Sequence, residues 1–271
     1  MTPTRTGGAN RDPDFSGDVV LVTGGGHGIG ATIAVRFARA GADVSLIGRD
    51  REAMSETQGR IEELGRRCLA LQADVSAEDE VRSAVAQTVA DLGSLSILVN
   101  NAGIAGPTRP LAELELDEWE AVLAINLTGA FLCCREAIPH LRAGGWGRIL
   151  NIGSGTGKRP LVNRTPYATS KLGLVGLTRT LAQELGSAEI TVNTISPYVV
   201  EGPRMERVVS SGAAERGITE EEFRAELVAG SPFSRGVSEE DVAGVAMFLA
   251  SDAASNLTGQ DYNVSAGSIF Y

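Results

Sequence analysis

Cysteine is scarce in this chain: three in 271 residues, at Cys68, Cys133 and Cys134. They make neither an even framework nor a C-x-x-C pair, which excludes a disulfide-stapled secreted scaffold and a dithiol redox motif. Three reduced, buried, cytosolic thiols are expected. Basic charge is also short. Lys and Arg number 24 against 34 Asp and Glu, a net charge of −10. Without a clustered basic face, nucleic acid and anionic membrane are poor partners. No continuous apolar run reaches the ~18 residues that a bilayer needs. The opening stretch, MTPTRTGGANRDPDFSGD, holds no apolar core of a secretory signal. A cytoplasmic protein is therefore expected, in which the sequons at Asn126, Asn163 and Asn256 are chance matches. Residues 1–15 read as a disordered tail.

What is present is a rhythm. Short apolar runs read as strands at 18–24, 42–48, 67–74, 95–103, 147–154, 189–197 and within 259–267. Helical spacing fills the gaps at 29–41, 51–65, 77–93, about 117–142, about 166–185 and 238–251. Such alternation predicts an α/β fold, a doubly wound parallel sheet of about seven strands with helices on both faces. Residues 16–271 read as one domain, with no linker and no internal repeat. The rhythm breaks only at 198–237. There "RMERVV" and "TEEEFRAELVAG" read as helical pieces flanking a small, polar "SSGAAERG". A long connection without a strand is expected to act as a lid.

Two stretches carry chemistry. In "TGGGHGIG" (23–30), Gly24, Gly28 and Gly30 let the chain turn tightly between the first strand and first helix. A helix N-terminus there offers free N–H groups to a pyrophosphate. The spacing is G-x-x-x-G-x-G, and a tight turn alone would also want glycine. In "TPYATSKLG" (165–173), Tyr167 and Lys171 stand four apart, on one helix face. A cation near a phenol favours phenolate, so the hydroxyl can exchange a proton in catalysis. The same four letters also fit an exposed lysine beside a half-buried tyrosine.

Taken in order, Thr23-Gly24-x-x-x-Gly28-x-Gly30, Asp74 in "ADVS", "NNAG" at 100–103, Asn126 in "NLTG", Ser154 in "NIGS", Tyr167-x-x-x-Lys171 and Asn193/Pro197 in "NTISP" resemble the short-chain dehydrogenase/reductase family, in its short single-domain branch. The likeness spans about 16–271. It implies an NAD(P)(H)-dependent oxidoreductase that moves a hydride between the nicotinamide and a secondary alcohol or ketone. It implies Tyr167 as acid/base and Ser154 as donor to the substrate oxygen. Lys171 would tune the tyrosine and hold the ribose, and Asn126 would support a proton relay. No metal is implied.

The same resemblance places Thr23, Gly24, Gly26, His27, Gly28, Ile29, Gly30, Asp74, Val75, Asn101, Ala102, Gly103, Pro197 and Val200 along the cofactor, with Tyr167 and Lys171. At the end of the second strand, Gly48 carries no acid to grip a ribose 2′-hydroxyl. Arg49 follows and could fork onto a 2′-phosphate. His27 adds a basic group, and Asp50 argues the other way. NADP(H) is favoured over NAD(H), although Arg49 could also be an ordinary loop arginine.

The chain departs from the family pattern twice. Tyr198 stands where glycine follows Pro197, which is expected to put a ring at the pocket mouth. Gly202 stands where a threonine would touch the carboxamide. Gly155, Thr156, Arg164 and Tyr198 are the expected substrate pocket. The basic loop Lys158, Arg159 and Arg164 offers candidates to meet an anionic substrate group, where solvated loop cations are the plain alternative.

Three other classes share features with this chain: an epimerase or dehydratase, an enoyl reductase, and a catalytically silent nucleotide-sensing regulator. The first usually has a larger C-terminal domain, the second a wider Tyr–Lys spacing, and the third tends to lose Ser, Tyr or Lys. The resemblance implies a homo-oligomer, tetramer or dimer. It leaves substrate identity, direction and stereochemistry open.

Overall fold

A computed structural model describes residues 13–271. The expected tail therefore lies outside the described residues as far as residue 12. Its expected end at residue 15 is too late. Phe15 is fully buried and meets the Phe37 ring edge-on at 4.9 Å, so the core begins there.

Seven strands form one parallel sheet: β1 (Val19–Thr23), β2 (Asp43–Gly48), β3 (Cys68–Gln72), β4 (Ile97–Asn100), β5 (Gly147–Ile152), β6 (Ile190–Pro197) and β7 (Asp261–Val264). Their order is β3-β2-β1-β4-β5-β6-β7, so the winding reverses between β1 and β4. Helices fill the connections: α1 (Gly28–Arg39), α2 (Arg51–Glu62), α3 (Glu78–Leu92), α4 (Leu116–Leu123), α5 (Gly129–Ala143), α6 (Thr165–Leu185), α7 (Pro203–Arg216), α8 (Glu220–Val228) and α9 (Glu239–Ala250).

Side chains alternate across the pleat. Val20, Val22, Ile97 and Val99 face one core with α1, α2 and α9. Leu21, Leu98 and Ile149 face the other with α3, α5 and α6. Strands buried on both faces explain the near-continuous apolar runs read from sequence.

The long helix expected at 117–142 is interrupted. Residues Ala124–Thr128 form a π turn between α4 and α5. By length and apolar composition Leu116–Ala143 could cross a membrane. Here it packs inside the domain, burying Val122, Asn126, Leu132, Cys133, Ala137 and Leu141.

Between β6 and α9 the described residues form α7 and α8 and no strand, and one expectation there is corrected. The "SSGAAER" stretch, expected to separate two helical pieces, is the second half of α7. Val209 and Ala213 are buried four apart, and Gly212 leaves room for the Phe223 ring of α8, which no Cβ there would allow. Small residues mark a close helix–helix contact, and Gly217 ends α7 in a left-handed conformation.

Candidate active site

A reversal of strand order opens a crevice above the carboxyl ends of the sheet. The glycine turn leads from β1 into α1 on its rim. Gly24 and Gly28 take φ of +66° and +54°, where side chains are strained. A Cβ on Gly24 would sit 3.0 Å from the Ala102 Cα, so glycine admits the "NNAG" chain. His27 precedes α1 without capping it through its side chain, and the first N–H groups of a helix have no partner within it.

Thr23 and Asn101 brace this turn. The Thr23 hydroxyl accepts from the Asn101 and Ala102 amides, both at 3.0 Å. The Asn101 amide donates to the carbonyls of Thr23 (3.0 Å) and Gly24 (3.1 Å). Gly26 packs on α2 at Ala53, while Ile29 lies against the α1–α9 core.

Beyond β2 the charges pair. Asp50 caps α2 by accepting from the Ala53 amide, and its other oxygen lies 3.0 Å from His27 Nε2. The Ala53 amide, followed by His27, holds the Asp50 carboxyl below the ordinary carboxylate range. His27 is thus tied to an acid. Arg49 is 65% exposed, with Nη1 3.6 Å from Asp74 Oδ2. Asp74 also accepts from the Ser76 amide and hydroxyl at 2.9 and 2.6 Å. Burial pushes the Asp74 carboxyl up, but the Ser76 hydrogen bonds and the Arg49 charge outweigh it and hold it low. Val75 beside it is buried.

On the other side of the crevice, Tyr167 sits in the first turn of α6, after Pro166 has set the helix start. Lys171 is only 5% exposed, and its ammonium donates to the Ile152 carbonyl at the end of β5, 2.8 Å away. Its Nζ lies 5.9 Å from the Tyr167 ring centroid. The Arg164 guanidinium lies 5.1 Å from the same centroid and donates to the Thr108 hydroxyl at 2.9 Å. Two cations therefore flank one phenol ring. Ser154 follows β5 and turns the chain, its hydroxyl accepting from the Thr156 amide at 3.2 Å.

Asn126 lies in the π turn, 1% exposed. Its side chain accepts from the Ile104 amide (2.8 Å) and donates to the Ile104 carbonyl (3.0 Å) and the Ser170 hydroxyl (3.0 Å). Ser170 in turn donates to the Tyr167 carbonyl at 2.8 Å. A Cβ on Gly103 would meet both Asn126 Oδ1 (3.1 Å) and Lys171 Nζ (3.3 Å), so glycine brings this loop against them. Ser170 was missed in the sequence reading. Its only signal is its place between Tyr167 and Lys171.

The substrate side departs from expectation. Tyr198 is 6% exposed and clusters with Val199 and Ile269 against Met205 of α7 and Leu227 and Val228 of α8. Its ring is buried in that cluster, not at a mouth. Gly155 makes space for it, since a Cβ there would lie 2.8 Å from the Tyr198 Cβ. Thr156 is buried. Pro197 ends β6, and Val200 bridges to Val237. Lys158 is committed to Asp261 at 2.9 Å and Asn263 at 2.6 Å, whereas Arg159 lies 5.7 Å from the Tyr198 ring centroid. Among the described residues no group of three His, Cys, Asp or Glu could hold a metal.

A family model described as enoyl-(acyl carrier protein) reductase matches residues 24–268. Cis-4-hydroxycyclohexanecarboxylate dehydrogenase of Sinomonas cyclohexanicum is 36% identical over 253 residues, 93% of this chain and 97% of that protein. A short-chain dehydrogenase/reductase of Armillaria gallica is 37% identical, covering 94% and 97%. The crystal structure of an NAD+-bound xylitol dehydrogenase superposes with a TM-score of 0.90 at 32% identity, covering 93% of this chain and 99% of that one.

Proposed function

We propose a function from one premise: this chain belongs to the short-chain dehydrogenase/reductase family. It is an oxidoreductase that moves a hydride between a nicotinamide dinucleotide and an alcohol or carbonyl carbon. The uncapped start of α1, the Gly24 and Gly28 turn and the close approach of Gly103 to Lys171 fit such a cofactor. When bound, the nicotinamide supplies or accepts the hydride.

The chain's own residues handle the proton. Tyr167 gives it to the carbonyl oxygen in reduction and takes it back in oxidation, while Ser154 donates a hydrogen bond to that oxygen. Lys171 favours the phenolate by its charge. Asn126 fixes the 103–104 loop and, through Ser170, the first turn of α6. The observation that carries this reading is the Tyr167 ring flanked by Lys171 and Arg164 at 5.9 and 5.1 Å.

Three finer points belong to the same proposal. NADP(H) is preferred, supported by Arg49 at the strand end without an acid at Gly48. The substrate is a secondary alcohol or ketone that carries an acidic group, supported by the Arg164 guanidinium beside the phenol and by a relative that acts on a cyclohexanecarboxylate. The protein works in the cytoplasm as a tetramer or dimer.

The test is oxidation of NADPH and NADH by the purified protein with paired keto acids, their neutral esters and matched enones. The expected result is carbonyl-dependent oxidation, faster with NADPH and with the keto acids. Turnover of enones alone would reassign the chain to alkene reduction. Tight cofactor binding with no turnover of any carbonyl would favour the silent regulator.

A further inference from the structure

The start of α1 already faces an anion of the protein's own. Glu239, the first residue of α9, reaches across to α1. Its Oε2 accepts from the Thr32 hydroxyl at 2.9 Å. Its Oε1 lies 3.3 Å from where a Cβ on Gly28 would be, and 3.5 Å from the equivalent point on Gly202. Gly28 opens the helix whose free N–H groups receive a diphosphate. Gly202 precedes α7 at the base of the lid, with φ of +139°, so a side chain there is strained. The missing side chain at 202 leaves the room that the Glu239 carboxylate borders. The neighbouring Glu240 pairs with Arg36 at 2.9 Å, so the tie between α1 and α9 does not depend on Glu239 alone.

We infer that Glu239 is a built-in competitor for the diphosphate of the dinucleotide, a positioning residue that sets cofactor affinity by placing a carboxylate beside the phosphate-binding turn. This rests on the dinucleotide reading above. A diphosphate entering the turn meets a like charge a few ångströms away, and it must either push that carboxylate aside or bind against it. In a site open to solvent such repulsion corresponds to about a 3- to 10-fold loss of affinity, weakened by salt.

The test is isothermal titration of the full chain with ADP, adenosine, NADP+ and NAD+, for wild type, Glu239→Gln and Glu239→Ser. Glutamine keeps an oxygen for the Thr32 hydroxyl and drops the charge. The expected result is about 3- to 10-fold tighter binding of ADP and the dinucleotides in both variants. Adenosine should be unchanged, and the gain should shrink at high salt. Unchanged ADP affinity with only a lower melting temperature would overturn the inference and leave Glu239 as a tie between helices. A gain shared by adenosine would overturn it too, because the effect would not be one of charge. Failure of the wild type to bind either dinucleotide would instead defeat the functional reading beneath it.

Discussion

The Tyr167 ring lies beside two cations of different character. Lys171 is buried and anchored on the Ile152 carbonyl, whereas Arg164 reaches out to Thr108 on the opposite loop. Their roles should separate in a mutant pair. Arg164→Ala is expected to raise KM for a keto acid about 10-fold, the worth of a charge-assisted hydrogen bond, and to leave a neutral ketone unchanged. Equal losses for both substrates would mean that Arg164 only supports the phenol. Arg49→Ala is expected to raise KM for NADPH by a similar factor and spare NADH. If the wild type prefers NADH, the reading of this strand end is wrong, and the 3.6 Å approach of Arg49 to Asp74 is its whole role. Spacing and strand-end position singled these residues out in sequence, and the structure places Lys171 and Arg164 beside the Tyr167 ring. Tyr198 was not. Its identity suggested a ring near the substrate, but its burial follows from Gly155 and Ile269, which lie 43 and 71 positions away in the chain.

At the scale of elements, local rules carried most of the reading and failed where packing overrode them. The starts of α8 and α9 are reciprocal capping boxes, Thr219 with Glu222 and Ser238 with Asp241. Ser238→Ala should cost about 1 kcal/mol in denaturant unfolding. The π turn left no such mark, because the apolar spacing of 117–142 fits an unbroken helix equally well. It is registered only by Asn126 reaching Ile104 and Ser170. One element junction should make stability depend on pH. Asp43, at the start of β2, binds Arg66 at 2.6 Å and Arg67 at 2.7 Å. Burial pushes its carboxyl up, yet the Arg67 hydrogen bonds and both guanidinium charges prevail and hold it below the ordinary value. A depressed folded-state pKa stabilises above the unfolded value and is lost as pH falls through the folded one. The melting-temperature gap between wild type and Asp43→Asn should therefore be widest near neutrality and close below about pH 4. A gap independent of pH would exclude the ion pairs as its source.

In the whole molecule, a parallel sheet supplies rigid strand ends, and the 198–237 excursion adds α7 and α8 between β6 and α9. The strand–helix alternation made that division visible in sequence, since a buried strand and an amphipathic helix have different periods. What joins the two helices of the excursion was not visible: Arg224 pairs with Glu201 and Glu206, and Arg216 with Glu226. Limited proteolysis should cut α7 and α8 more slowly once cofactor and substrate are both bound, and Tyr198→Ala should abolish that protection. Equal cleavage with and without ligands would make 198–237 a static excursion. The proposed chemistry depends on the phenol as the proton donor. The most direct test is single-turnover reduction of a ketone by wild type and Tyr167→Phe, each loaded with NADPH, followed by loss of reduced-nicotinamide absorbance. The account predicts that the variant binds cofactor as the wild type does while its rate falls about 10²- to 10⁴-fold; a variant that transfers hydride at the wild-type rate would contradict it.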